Sequence, residues 1–176
     1  RNRLLFKDPS VDGLKTGHTS EAGYCLVTSA KRNDMRLITV VMGASSESAR
    51  ERETQKLLSY GFRYFETHKL YDAGAVLADS KVWAGNSDSL SLGVSRDIHL
   101  TIPSGQQDKI KAVLNIDETI KAPVTKGKVY GELVVSLAGE TLLQEPLVAL
   151  ASVDEGGLFK RLWAGIVLFF KQLLIF

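Results

Sequence analysis

Apolar and polar positions follow three successive rhythms along this chain, and each predicts a different kind of structure. From Tyr24 to Ala30 apolar and β-branched residues predominate, which predicts a strand. Lys31-Arg32-Asn33-Asp34 makes a polar turn, and Met35 to Gly43 returns as a second, more buried strand. Asp12-Gly13 reads as a turn ahead of this pair. Leu58, Phe62 and Phe65 then recur at i, i+4 and i+7, one apolar stripe on a helix. Ser48-x-x-Glu51 is a capping-box pattern, so the helix is predicted from about Ser48 to Glu66. It is expected to cover one face of the sheet, with Arg50, Arg52, Glu53 and Lys56 mainly solvated.

Beyond Thr67 the runs shorten. Lys81–Trp83, Ile98–Ile102, Ile110–Ile116, Lys128–Tyr130, Glu132–Leu137, Thr141–Leu143 and Leu147–Leu150 read as strands. Turn signals separate them: Asn86-Ser87-Asp88-Ser89, Pro103-Ser104-Gly105, Lys126-Gly127 and Ala138-Gly139-Glu140. Many short strands at this spacing predict a small all-β sandwich. The third rhythm follows Asp154-Glu155-Gly156-Gly157, an acidic stretch expected to be flexible. Leu158 to Phe176 has only Lys160, Arg161, Lys171 and Gln172 as polar side chains. On a helix these cluster within about 120°. Phe159, Leu162, Trp163, Ile166, Phe169, Phe170, Leu173 and Phe176 take the broad opposite arc, while Leu168 and Ile175 intrude on the polar side. The uninterrupted apolar run, Leu162 to Phe170, is about half of what a spanning helix needs. The pattern predicts an interfacial membrane-anchor helix, with cations on anionic headgroups and Trp163 at the boundary. The competing expectation is a helix packed on the protein's own core.

The predicted fold class is therefore α+β in three parts: residues 1–66 as part of an α/β domain, 67–152 as a β-sandwich, and 153–176 as an amphipathic helix. Composition changes little. At 176 residues, with 44% hydrophobic and 24% charged positions, the chain is globular in character. Net charge is +2, with no basic patch interleaved with aromatics, so nucleic acid is not expected as a partner. Cys25 is alone and lies in a strand pattern, which predicts a buried, inert thiol. His68 and His99 lie near no cluster with metal-ligand spacing, and no phosphate-cradling loop is present, so neither metal nor cofactor is expected. Arg1-Asn2-Arg3-Leu4-Leu5 reads as mid-domain sequence. The chain is accordingly expected to be a C-terminal fragment, and a missing signal peptide does not argue against export.

The chemistry concentrates in Lys15-Thr16-Gly17-His18, just ahead of the first predicted strand pair. Lys-Thr-Gly is one of three active-site motifs of serine enzymes that act on D-Ala-D-Ala peptides or β-lactams. Such acyl transfer needs a nucleophile, a base, an oxyanion hole and a cationic site for the terminal carboxylate. On a strand edge, the Lys15 ammonium makes the potential positive and the Thr16 hydroxyl can donate to a carboxylate. Gly17 lets a substrate approach the backbone, and the His18 N–H can donate to an oxyanion. No serine in the chain has lysine three residues on, so Ser-x-x-Lys is absent. Ser87-Asp88-Ser89 only approximates the remaining Ser-x-Asn motif and reads as a turn.

Val11-Asp12-Gly13-Leu14-Lys15-Thr16-Gly17-His18-Thr19, then Ala22-Gly23-Tyr24 and the hairpin to Met42-Gly43, closely resembles the low-molecular-mass penicillin-binding proteins. These are serine D-alanyl-D-alanine carboxypeptidases. Leu57 to Glu66 resembles the family helix that closes the catalytic domain. Ser91–Val94 and Leu100–Pro103 resemble its β-rich second domain, and the tail resembles its membrane anchor. The likeness is greatest to the penicillin-binding protein 5 and 6 group of Gram-negative bacteria. The resemblance implies that Lys15, Thr16 and Gly17 bind substrate, with His18 as backbone oxyanion donor and Arg1 and Arg50 facing the substrate carboxylate. It implies a membrane anchor built on Phe159, Lys160, Arg161, Leu162, Trp163, Ile166, Phe169, Phe170, Lys171 and Leu173. The implied partners are peptidoglycan pentapeptide, β-lactams as covalent inhibitors of the full-length enzyme, and anionic membrane lipids. The implied location is the periplasmic face of the bacterial inner membrane. The alternative reading is non-catalytic: a membrane-tethered β module that positions a partner domain at the surface.

Overall fold

The structure, a computed structural model, describes the backbone of residues 1–173 and the side chains of residues 1–170. Of the expected anchor face, Phe176 lies outside the described residues, and so do the side chains of Lys171 and Leu173. The chain divides into two compact units. One holds Arg1–His68 with Leu100–Asp108; the other holds Lys69–His99 with the residues from Lys109 onward.

In the first unit, α1 (Leu4–Lys7), β1 (Val11–Thr19), β2 (Gly23–Arg32), β3 (Met35–Ala44) and α2 (Glu47–Tyr64) follow in order. The three strands form an antiparallel sheet in the order β1-β2-β3. The Asp12-Gly13 pair is not a turn. It lies inside β1, where the register against β2 shifts between Val11 and Gly13, so a bulge absorbs the irregularity that reads as a break. Strand alternation sends Met35, Leu37 and Thr39 toward the covered face and Arg36, Ile38, Val40 and Met42 away from it. Helix α2 covers the first face. Leu4, Val11, Leu26, Ala30 and Leu58 form its core, with Leu37 and Phe62 packed against them. The opposite face carries Ile38, Val40 and Met42 exposed among the described residues.

Helix α2 starts earlier than its capping-box pattern suggests. Ser46 is the N-cap, and its hydroxyl accepts the Ala49 N–H at 3.1 Å. Ser48 sits inside the first turn instead. At the other end Phe65 turns extended and opens a strand, so the apolar stripe runs one element past the helix.

The remaining strands are β4 (Phe65–Tyr71), β5 (Val76–Trp83), β6 (Ser89–Gly93) and β7 (Ile98–Pro103). After a 3-10 turn come β8 (Ile110–Ile116), β9 (Ile120–Lys121), β10 (Val129–Leu137) and β11 (Glu140–Ala149), then α3 (Leu158–Leu173). Strands β4 and β7 pair as a two-stranded ribbon. The second unit is built on one six-stranded sheet, β8-β10-β11-β6-β5-β9. Its core gathers Val82, Leu90, Leu92, Ile120, Tyr130, Leu147 and Val153 from widely spaced segments. Two apparent breaks are internal to strands. Gly131 lies within β10 opposite Ile116, and Pro146 lies within β11 opposite Glu132. Four of the expected short strands are therefore two long ones. The fold is mixed α+β.

The stretch after Ala149 is not flexible. Val153 and Val124 exchange backbone hydrogen bonds of 2.8 and 2.9 Å. The Asp154 carbonyl accepts from Asn86 N, and Gly156 N donates to the Ala84 carbonyl, both at 2.8 Å. Val153 is itself buried in the core. Glycine is suited to this close threading at position 156, where a Cβ would meet the Gly85 carbonyl oxygen at 2.7 Å.

Candidate functional site

Lys15-Thr16-Gly17-His18 lies in β1, the edge strand of its sheet. The four residues pair with Val27, Leu26, Cys25 and Tyr24 in turn. Lys15 and Gly17 share one face of the strand with Val27 and Cys25; Thr16 and His18 share the other with Leu26 and Tyr24. An edge strand turns every second backbone N–H and C=O outward, away from its single neighbour. Lys15 Nζ donates to the Thr16 carbonyl at 2.8 Å, so that ammonium lies along the edge. Beyond the motif, the Ala22 N–H donates to Thr19 Oγ1 at 2.9 Å and closes the turn. Gly23 sits there at φ +64, and a Cβ would crowd the Gly43–Ala44 backbone at 3.1 Å.

Gly17 differs from Gly23. Its φ is not in the left-handed region, and a Cβ built on it meets only Cys25 Cβ, at 3.8 Å. Neither backbone conformation nor packing within the described residues calls for glycine there. The fold tolerates a side chain at Gly17, which would stand on the face of the strand that carries Lys15.

Arg50 is not solvated. It is 3% exposed, on the face of α2 that also buries Thr54, Leu58 and Gly61. Its Nη1 donates to the Gly17 carbonyl at 3.4 Å and the Cys25 carbonyl at 3.5 Å, two residues paired across β1 and β2. Its Nη2 lies 3.5 Å from Glu47 Oε1. Its guanidinium carbon lies 5.6 Å from the Tyr24 ring centroid, and Tyr24 in turn stacks on the His18 ring at 4.0 Å. Arg50 thus reaches the motif from behind, through backbone and an aromatic pair. Arg1 is exposed, with no hydrogen bond or ion pair among the described contacts.

Three participants are missed by sequence reasoning. Asn2 is buried, and its amide donates to the Gly13 carbonyl at 3.3 Å while its Oδ1 accepts the Leu4 N–H, which pins the entry to β1. Glu47 bridges Arg50 and Arg3, the latter at 3.2 Å. Glu51 is buried and pairs with Lys7 at 2.8 Å. For Arg50 a signal existed: Arg50, Thr54 and Leu58 recur at four-residue steps, on the stripe itself. Cys25 is half-buried, its thiol directed at the Ala22 carbonyl at 3.5 Å.

Carboxylates frame the base of the sheet. The Ser10 hydroxyl and N–H and the Arg32 guanidinium hold Asp8 below its ordinary value, against the opposing push of burial. Hydrogen bonds from Arg36 and Ser29 do the same for Asp12. Among the described residues no three His, Cys, Asp or Glu side chains gather as metal ligands.

The terminal helix forms a second candidate site in the other unit. Phe159 is 90% exposed, and Leu158, Leu162, Trp163, Ile166, Phe169 and Phe170 are exposed as well. Ala164 is buried. Lys160 Nζ lies 2.9 Å from Asp88 Oδ1, and Arg161 Nη1 lies 2.7 Å from Glu155 Oε2. No described helix is long and apolar enough to cross a membrane.

Comparison with known proteins identifies the family. Residues 65–155 match the family described as penicillin-binding protein 5, C-terminal domain, and residues 1–46 match the family described as D-alanyl-D-alanine carboxypeptidase. The D-alanyl-D-alanine carboxypeptidase DacA of Escherichia coli K12 is 46% identical over 175 residues, 98% of this chain and 43% of that protein. DacA of Haemophilus influenzae is 44% identical over 98% of this chain and 45% of that protein. Penicillin-binding protein 5 from Haemophilus influenzae superposes with a TM-score of 0.80 at 43% identity, over 88% of this chain and 46% of the solved one. The chain thus spans less than half the length of these curated relatives.

Proposed function

Because this chain belongs to the penicillin-binding protein 5 family, we propose that it supplies the substrate-binding strand, the β unit and the membrane anchor of a serine D-alanyl-D-alanine carboxypeptidase. In this reading the enzyme trims the terminal D-Ala from peptidoglycan pentapeptides. Its parts are residues 1–66 of the catalytic domain, a β domain over 67–152 and an anchor over 153–176.

A serine outside this chain attacks the carbonyl of the penultimate D-Ala, and its proton passes to a base. The C–N bond breaks, D-Ala leaves with a proton on its amine, and water later hydrolyses the acyl-enzyme. The chain's own residues bind and orient. The peptide lies along the open edge of β1 as an added strand. Lys15 and Thr16 flank that edge from opposite faces, so the ammonium and the hydroxyl reach the terminal carboxylate from two sides. Backbone direction repeats every second residue, so the His18 N–H turns the way the Thr16 carbonyl does, toward the edge, where an oxyanion develops. Arg50 serves from behind the strand, and Arg1 serves only if substrate or another segment draws it in. β-Lactams, which mimic the D-Ala-D-Ala terminus, acylate the same serine. The chain alone, without Ser-x-x-Lys, is inactive.

The observation that carries this reading is Gly17. A glycine that the fold does not need, on an edge strand between Lys-Thr and His, is explained by the approach of a substrate backbone. The test is Gly17→Ala in a polypeptide that joins this chain to a Ser-x-x-Lys-bearing segment. Unfolding stability should stay within about 0.5 kcal/mol, while acylation by fluorescent penicillin falls at least tenfold. Unchanged acylation refutes the assignment.

The exposed apolar arc of α3 supports a peripheral position on the periplasmic face of the bacterial inner membrane. A non-catalytic membrane-tethered module is the second reading, favoured by the self-contained core of the β unit; it predicts that no polypeptide containing this chain is labelled by penicillin.

A further inference from the structure

An interfacial helix ordinarily gives its apolar face to the acyl boundary and its cations to anionic headgroups. In α3 the two cations with described side chains are already taken. Lys160 pairs with Asp88, in the β5–β6 loop, and Arg161 pairs with Glu155 at the helix entrance. The hydrogen bond from Lys160 holds the Asp88 carboxyl below its ordinary value, with a smaller pull from Lys81. The backbone on both sides is fixed: Asn86 N binds the Asp154 carbonyl, and Gly156 N binds the Ala84 carbonyl. The two carboxylates are therefore held where the first turn of α3 begins. Meanwhile the apolar arc from Leu158 to Phe170 stands exposed.

We infer that Asp88 and Glu155 form an electrostatic latch that competes with an anionic lipid surface for Lys160 and Arg161. The inference rests on the anchor reading above. In solution the carboxylates hold the basic edge of α3 against the β unit. At an anionic bilayer the headgroups replace them, and the helix gains its full set of lipid contacts. The magnitudes favour exchange. An exposed ion pair contributes about a factor of two to its equilibrium, whereas a cation near an anionic bilayer contributes about a factor of five. The latch thus lowers affinity for anionic membranes without abolishing it, and leaves affinity for neutral membranes unaltered.

The test uses the 176-residue chain and co-sedimentation with two vesicle types, phosphatidylglycerol mixed with phosphatidylcholine and phosphatidylcholine alone. The double variant Asp88→Asn, Glu155→Gln should bind the anionic vesicles roughly fourfold more tightly than the parent, a factor of about two for each pair released. Binding to phosphatidylcholine should be unchanged. Adding Lys160→Gln and Arg161→Gln should erase the gain. Unchanged or weaker binding of the double variant to anionic vesicles overturns the latch, as does an equal gain on neutral vesicles, which would mean that the carboxylates act through packing. A thermal melt of each variant shows that the β unit is intact. The anchor reading fails separately, by a different result: a chain lacking residues 158–176 that binds anionic vesicles as well as the parent.

Discussion

Removal of the Arg50 guanidinium tests whether the motif strand is held from behind. Arg50→Ala deletes the donors to the Gly17 and Cys25 carbonyls, the contact with Glu47 and the cation against the Tyr24 ring. Breaking a buried ion pair costs about 3–5 kcal/mol when a charge is left unpaired. Here Glu47 is 42% exposed and keeps Arg3 at 3.2 Å, so the residual charge is compensated. Both carbonyl contacts are at the long end of hydrogen-bonding range, each worth about 0.5–1 kcal/mol. Adding the lost packing of a buried stem gives about 2–3 kcal/mol. The two units need not unfold together, so a global melt blurs the effect. Residue-resolved hydrogen exchange on the 176-residue chain avoids this. About 2 kcal/mol corresponds to roughly 30-fold faster exchange, expected at Gly17 and Cys25. Arg50→Met, which keeps the stem volume, should recover part of that protection by restoring packing. Exchange at Gly17 and Cys25 within twofold of the parent refutes the strut. So does acceleration that extends equally to Leu133 and Leu147 in the other unit.

Three further outcomes follow from local geometry. Ser46→Ala should cost about 1 kcal/mol of α2 stability and Ser48→Ala close to nothing, because only Ser46 caps the helix; chemical denaturation of the two variants separates them. Gly93→Ala should disrupt the β5–β6 pairing, since a Cβ would run into the Ala75 carbonyl oxygen; a lowered melting midpoint of the β unit checks it. Asp8 and Asp12 are held below their ordinary value of 3.8 in the folded chain. Their contribution is therefore complete above that value and is lost as pH falls below it toward the folded-state values. An acid titration followed by near-UV circular dichroism should show the first unit loosening below about pH 4; Asp8→Asn should flatten that response, and an unaltered response counts against the assignment.

Some of this architecture is plain in the sequence, and the exceptions have physical reasons. Strands β2 and β3 are legible because apolar, β-branched runs flank a polar turn. Strand β1 is less so: a bulge at Asp12-Gly13 looks like a turn when only residue types are visible. The expected runs stop on either side of Gly131 and Pro146, yet pairing on both sides of β10 and from β11 carries the strands through them. The acidic stretch 154–157 looks like a linker because composition does not reveal that Ala84 and Asn86 supply backbone partners. Arg50 is the instructive case at the site. Its charge suggests solvent, but its spacing from Thr54 and Leu58 places it on the buried stripe, where spacing prevails because carbonyl oxygens and Glu47 satisfy the charge. The Lys15-Thr16-Gly17 motif is fully legible; its position on an edge strand, and the fact that nothing in the fold demands Gly17, are not.

The central claim is that the Lys15 edge strand binds the acyl donor of a serine carboxypeptidase. The most direct measurement is the second-order acylation rate with fluorescent penicillin in a polypeptide joining Ser-x-x-Lys to this chain, comparing the parent with Lys15→Ala. Loss of one preorganised electrostatic contact of this kind costs on the order of 10²–10³ in rate. The account predicts a fall of that size, with the melting temperature unchanged because Lys15 is exposed and, among the described residues, bonds only to the Thr16 carbonyl. An acylation rate equal to that of the parent contradicts it.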